Sequence, residues 1–171
     1  GKNAEAHQRA LNTLAERAAR HGLKIFIHLQ PPRGVPLSNR EFWDRHPDVG
    51  GQEGEERVFS DSWATARQIP SRSLCTSAEP VKEWLVNAMR ELAAKVPLLA
   101  GVTVITASEF KSHCYSHKRR ENPTRWAGLI ECPRCARREP EEVAAEIITL
   151  MTKGARQASP TFDVIAWNWS W

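Results

Sequence analysis

Gly101-Val102-Thr103-Val104-Ile105-Thr106-Ala107 is the stretch on which the fold turns. It is a short, β-branched, continuously apolar run, the kind of strand that is paired in parallel and covered by helices. Its flanks agree. On the N-terminal side Val81, Trp84, Leu85, Ala88, Leu92 and Val96 fall on one helical stripe, with Pro80 near its start and Pro97 stopping it. On the C-terminal side a long polar excursion, 108–139, is followed by Pro140, which opens a helix with Val143, Ala144, Ile147, Leu150 and Met151 on its apolar face.

Further out the same alternation repeats. Ala4, Leu11, Leu14, Ala15, Ala18 and Ala19 recur at helical spacing up to Arg20, and Gly22 suits the left-handed position that ends a helix. Leu23 to Leu29 reads as a buried strand and Phe162 to Trp169 as another. Between Gln30 and Thr76 the chain is rich in Pro, Gly and charge, and only short helical turns at Arg40 to Arg45 and Ser62 to Arg67 are expected. The order helix, strand, helix, strand, helix, strand predicts an α/β fold with parallel strands near 23–29, 101–107 and 162–169. Loops leaving the strands are long, whereas the returns Pro97 to Ala100 and Ser159 to Thr161 are short. That asymmetry favours a segment of a (β/α)8 (TIM) barrel over a doubly wound open sheet. No G-x-G-x-x-G or P-loop follows any strand. The expected organisation is a single fragment of a larger catalytic barrel over 1–171, with 108–139 as an inserted Cys/His loop. The chain stops at Trp171 inside an apolar run, and more barrel is expected beyond it.

The 171 residues are 41% apolar and 26% charged, ordinary for a globular protein. No apolar run approaches the roughly 20 residues of a membrane helix. The net charge of +4 raises the question of a polyanion partner. Acidic residues such as Glu53 to Glu56 and Glu139 to Glu142 are interleaved with the basic ones, and only Lys118, Arg119 and Arg120 with Arg134, Arg137 and Arg138 cluster. Nucleic acid is therefore disfavoured, and such a cluster is ordinarily solvated surface.

Glu109 stands just past the strand that ends at Ala107, where barrel enzymes place catalytic groups. Between apolar walls a carboxyl there keeps its proton and can donate it to a leaving oxygen, the general acid role in glycoside cleavage; the bland alternative is an exposed Glu paired with Arg. His28 and Gln30 end the first strand, with Arg33 shortly after, and these polar groups can bind substrate hydroxyls at the same mouth. A strand-end histidine is also a common hydrogen-bonded packing residue. In Trp167-Asn168-Trp169-Ser170-Trp171 the indoles share one side of the strand and Asn168 and Ser170 the other. Indole faces suit sugar rings and Asn168 suits a hydroxyl or acetamido group, with core packing as the competing use of Trp167.

Three of the four cysteines lie in one loop. Cys114-Tyr115-Ser116-His117 is C-x-x-H, and Cys132-Pro133-Arg134-Cys135 is C-x-x-C, the two-knuckle pattern of a tetrahedral zinc site. The expected ligands are Cys114, His117, Cys132 and Cys135, with His113 an open substitute for His117, and the metal structural because four protein ligands close it. Free thiols, or a Cys132 to Cys135 disulfide in an oxidising compartment, are the alternatives. Cys75, between Leu74 and Thr76, reads as buried packing. The thiol-rich loop favours a cytoplasmic location without excluding a secreted or periplasmic one.

The phrases Leu74-Cys75-Thr76-Ser77, Ile105-Thr106-Ala107-Ser108-Glu109, His113-Cys114-Tyr115-Ser116-His117, Cys132-Pro133-Arg134-Cys135 and Ile165-Ala166-Trp167-Asn168-Trp169-Ser170-Trp171 together resemble a bacterial (β/α)-barrel glycoside hydrolase. The chain looks similar to relatives of family 20, the β-N-acetylhexosaminidases, from about Leu23 to Trp171. The resemblance implies a barrel, a carbohydrate substrate, Glu109 as acid/base, and sugar contacts by His28, Gln30, Arg33, Trp167, Asn168 and Trp169. It departs at one place: family 20 enzymes carry an Asp before the acid, and Ser108 stands there. The other function classes that fit are a zinc-stabilised module for a polyanion and a barrel that binds sugar without cleaving it.

Overall fold

A computed structural model of the chain describes residues 3–30, 32–58, 67–106, 111–116 and 130–167. Three strands, β1 (Ile25–Leu29), β5 (Leu99–Ile105) and β6 (Asp163–Trp167), form a parallel sheet in the order β1-β5-β6. The register aligns Ile27 with Val102 and Val102 with Val164, and likewise Leu29 with Val104 and Val104 with Ala166. The strand starts fall within two residues of their expected bounds and β1 ends at Leu29 as expected, while the expected ends at 107 and 169 lie outside the described residues.

Helix α1 (Ala4–Arg20) ends at Gly22, whose φ of +70° lets the Leu23 N–H reach back to the Ala18 carbonyl at 3.0 Å. Asn12 Nδ2 donates to the Lys95 carbonyl at 2.9 Å, tying α1 to the end of α3 (Glu79–Lys95). Helix α4 (Pro140–Ala158) starts with Pro at its first position, and the Glu142 carboxylate accepts from the Glu139 N–H. The stripe of α3 is rotated from its expected position: Val81, Leu85, Met89 and Ala93 are buried and Trp84 is exposed. A 3.6-residue period admits both stripes, and contact with α4 selects between them.

One core joins Val81, Leu85 and Met89 of α3, Val143, Ile147 and Met151 of α4, and Val102 and Val104 of β5, with Ile25, Ile27, Leu29 and Val164 packed against it. Every one of these strand residues points to the same face of the parallel sheet. On the opposite face Phe26 is 38% exposed, Ile165 46% and Trp167 45%, so the helices cover one side only. Gly154 sits where α4 crosses α3, and a Cβ there would collide with the Val86 backbone carbonyl. At the helices' polar edge Glu146 accepts from Arg138 at 2.6 Å and pairs with Lys82 at 2.9 Å.

The stretch from Gln30 to Thr76 departs from expectation. Besides the short helix α2 (Arg40–Arg45), it holds an antiparallel sheet of β2 (Val35–Pro36), β4 (Arg67–Leu74) and β3 (Gly50–Val58), with β4 central. Ser62 to Ala66, within the second expected helical turn, lie outside the described residues, and Arg67 begins β4. These strands lack apolar alternation because their inward residues are polar: Gln52, Glu56, Ser71 and Ser73 are all buried. Each finds a partner. Gln52 bonds Glu131, Glu56 accepts from Arg33, Ser71 donates to the Ile69 carbonyl and Ser73 to the Gln52 carbonyl.

Substituting Gly154→Ala should lower stability by about 1–3 kcal/mol, because backbone rather than a movable side chain blocks the new methyl; urea unfolding with an undiminished midpoint would refute this contact. Burial pushes the Glu146 carboxyl up, but Arg138 and then Lys82 outweigh it and leave it below its usual value. Its contribution is therefore present above the unfolded carboxylate range and is lost as pH falls through the folded value. Glu146→Gln should cost about 1 kcal/mol at pH 7, with the gap to the parent closing in acid, as a pH series of melting curves would record.

Candidate functional site

Four sulfurs converge between the two sheets. Cys75, Cys114, Cys132 and Cys135 are all buried, all lack a disulfide, and their sulfurs lie within 4.8 Å of one another. Cys75 to Cys132 is 3.6 Å and Cys75 to Cys135 is 3.7 Å. The group has the geometry and donor chemistry to hold a metal ion.

Backbone bonds set each thiol. Cys75 directly follows β4, donating its N–H to the Val49 carbonyl and accepting from Ala78 N–H, both at 2.8 Å. Cys132 and Cys135 form a knuckle in which Ala136 N–H bonds the Cys132 carbonyl and Arg138 N–H the Cys135 carbonyl, each at 2.9 Å, around a 3-10 turn at Cys135–Arg137. Cys114 lies in a turn folded back on the end of β5. There Ser116 Oγ accepts from the N–H groups of Ser112 (3.1 Å) and His113 (3.0 Å), and Ser112 Oγ donates to the Thr106 carbonyl. Tyr115 joins the two halves, its hydroxyl lying 2.8 Å from the Cys135 carbonyl and 2.5 Å from that of Arg138. Burial first, then the charge of Cys135, lifts the Tyr115 phenol to about 12, so it is a neutral donor at physiological pH.

A shell of donors surrounds the sulfurs. Arg134 Nε donates to Cys75 at 3.2 Å, Ser73 Oγ lies 3.7 Å from the Cys114 sulfur, and Ser77 Oγ lies 3.5 Å from Cys135. Gly51 presses against them: a Cβ there would sit 2.6 Å from the Cys114 sulfur. Contacts among the sulfurs divide their acidities. Bonds chiefly from Cys114 pull Cys75 down to about 6 and lower Cys132 further, while Cys114 is pushed up by Cys132. Cys135 is pulled down by Cys114 but pushed up overall by Cys132, Cys75 and burial. Four adjacent thiols cannot all ionise without a cation among them.

Three of the four expected ligands, Cys114, Cys132 and Cys135, are thus brought together, and the fourth sulfur is Cys75. His117 lies outside the described residues. His113 is buried beside the group, with its Nδ1 accepting from Tyr115 N–H at 3.1 Å. Sequence spacing missed Cys75 because it comes from the end of β4, far outside the loop; the signal available was that it is the one cysteine left over.

At the carboxyl ends of the parallel strands, His28 of β1 and Trp167 of β6 meet across β5, edge to face with ring centroids 6.1 Å apart. Gln30 follows, half-buried. Arg33 turns away from this pair to the antiparallel sheet, where its guanidinium bonds the buried Glu56 carboxylate at 2.9–3.0 Å. Glu109, Asn168 and Trp169 lie outside the described residues.

No protein-family model matches the chain, and no curated protein matches it. Among solved structures it is similar, over 91% of its length, to part of a GH36 alpha-galactosidase from Geobacillus stearothermophilus in complex with stachyose, at 16% identity and a TM-score of 0.44. The chain spans 19% of the length of that protein. A likeness this slight carries no argument about activity, and the family 20 resemblance stays a resemblance.

Tyr115→Phe removes the hydroxyl that bridges the Cys135 and Arg138 carbonyls, leaving the Cys135 carbonyl with its bond from the Arg138 N–H, and should cost about 1 kcal/mol. Chemical denaturation at neutral pH measures it; a loss below the error of the fit would mean that the hydroxyl does not join the turn to the knuckle.

Proposed function

We propose that this chain is part of the wall of a (β/α)8 barrel that hydrolyses O-glycosidic bonds, with 108–139 as a loop inserted at the barrel mouth. The observation that carries the reading is the one-sided sheet. Parallel sheets are ordinarily covered on both faces. Here consecutive strands lie side by side, α3 and α4 cover one face, and the other presents Phe26, His28, Ile165 and Trp167. In a barrel that second face is closed over by the remaining strands.

On this reading Glu109, following β5, is the general acid, and Trp167 and Trp169 are platforms for a sugar ring. Asn168, Gln30 and His28 hydrogen-bond its hydroxyls, and the His28–Trp167 contact fixes the angle of the indole. Arg33, held by Glu56, contributes charge at the rim rather than a free sugar contact. With Ser108 before the acid, assistance from an acetamido group loses its usual orienting partner, so a hexosaminidase-like outcome needs that role filled by another residue. A second carboxylate, where the chemistry requires one, would be supplied by another strand of such a barrel. The polyanion reading is weakened because Arg134 is held by Cys75 and the Gly50 carbonyl, and Arg138 by Glu146. A barrel that binds sugar without cleaving it remains the second reading, favoured by the exposed Trp167.

In a protein containing the complete barrel, Glu109→Gln should lower hydrolysis of aryl glycosides by about a hundredfold or more while leaving the melting temperature unchanged. Equal turnover by the variant would end the acid assignment. Glycan affinity with no turnover in the parent would establish the binding-only reading instead.

A further inference from the structure

We propose that Cys75, Cys114, Cys132 and Cys135 bind one zinc ion as four thiolates, in a closed structural site that clamps the end of β4 to both halves of the 108–139 loop. This inference does not rest on the glycosidase reading.

Geometry and donor chemistry together narrow the metal. A tetrahedral ion with metal–sulfur bonds of about 2.3 Å separates its sulfurs by about 3.8 Å along each edge. The spacings of 3.6 and 3.7 Å, with every pair inside 4.8 Å, match that tetrahedron. They are too long for a disulfide, whose sulfurs are about 2.05 Å apart, and too compact to enclose a cubane of four irons. All-thiolate coordination selects a soft or borderline ion, and zinc is the redox-inert one that accepts a tetrahedron without strain. Hard cations such as magnesium and calcium take oxygen ligands.

The surroundings fit the charge such a site carries. Four thiolates around a dication leave an excess of two negative charges, and Arg134 lies against Cys75 with Ser73 and Ser77 against Cys114 and Cys135. Donors to the sulfurs in the outer shell are what a tetrathiolate centre requires. Binding releases the protons still held by the thiols, so affinity rises with pH. The ion has no open position, and no catalytic role is assigned to it.

Its mechanical role follows from what the described loop lacks. Residues 111–116 and 130–138 contribute few large apolar side chains to the core, and their polar groups bond to one another, to Thr106 after β5, and to Gly34, β3, Ser77 and α4. Joining three distant segments at one ion supplies the cohesion that burial does not.

The chain purified under reducing conditions should contain close to one equivalent of zinc by elemental analysis. Replacement with Co2+ should give the visible bands of a tetrahedral tetrathiolate complex. Cys75→Ser should weaken zinc binding, in competition with a chromophoric chelator, on the order of a hundredfold or more, and Arg134→Ala about tenfold, while His117→Ala changes nothing. Should Cys75→Ser fail to fold, the parent cobalt spectrum decides: three-sulfur, one-imidazole character overturns the assignment. So would retention of zinc by Cys75→Ser with loss by His117→Ala, iron with acid-labile sulfide, or no metal uptake by the reduced chain. Chelation of the parent should open 111–116 and 130–138 to proteolysis before α3 and α4; uniform unfolding would overturn the clamp role.

Discussion

Burial of a single face of the parallel sheet beneath α3 and α4 is the constraint from which the rest of this structure follows. Val102 and Val104 are fully enclosed between Ile27, Leu29 and Val164 on the neighbouring strands and Leu85, Ile147 and Met151 on the helices. Aligning those residues on one face fixes strand register, because a one-residue slip would turn every one of them outward. Gly154 lets the helices approach closely enough to share that face. Register in turn places His28 and Trp167 on the uncovered side and sends all three carboxyl ends the same way.

The second half of the architecture obeys different physics. Around β3, β4 and the loop turns the inward residues are glutamine, glutamate, serine and cysteine, so dehydration of apolar surface contributes little. What orders them is hydrogen bonding: Gln52 with Glu131, one oxygen of Glu56 with Arg33, Ser116 with the Ser112 and His113 amides. Each such bond contributes about 1 kcal/mol net, and each would cost more than that if left unmade. A network of this kind is specific rather than strong, and it benefits from a cross-link between segments far apart in sequence.

The two halves meet at the end of β5. Thr106 is held by Ser112 and Ser116, and Lys111 is held at its carbonyl by the Gly34 amide at 2.8 Å. Residues 107–110, Glu109 among them, connect two anchored points. The four sulfurs lie on this same side, at the strand ends. A thiolate-bound ion there would join the described segments 111–116 and 130–138 to the end of β4.

Periodicity by itself determined the three helices, the three parallel strands and the knuckle Cys132-Pro133-Arg134-Cys135. All depend on neighbours within a few residues, where the 3.6-residue and two-residue repeats and the bite of a C-x-x-C turn operate. Tertiary structure alone decided the rest. It turned Trp84 outward, built a sheet from strands whose inward faces are polar and so show no apolar alternation, and drew Arg33 to Glu56. It also made Cys75 the fourth sulfur, because that convergence depends on where β4 ends relative to a loop nearly forty residues further on. No local pattern encodes such a distance; it exists only once both sheets are assembled.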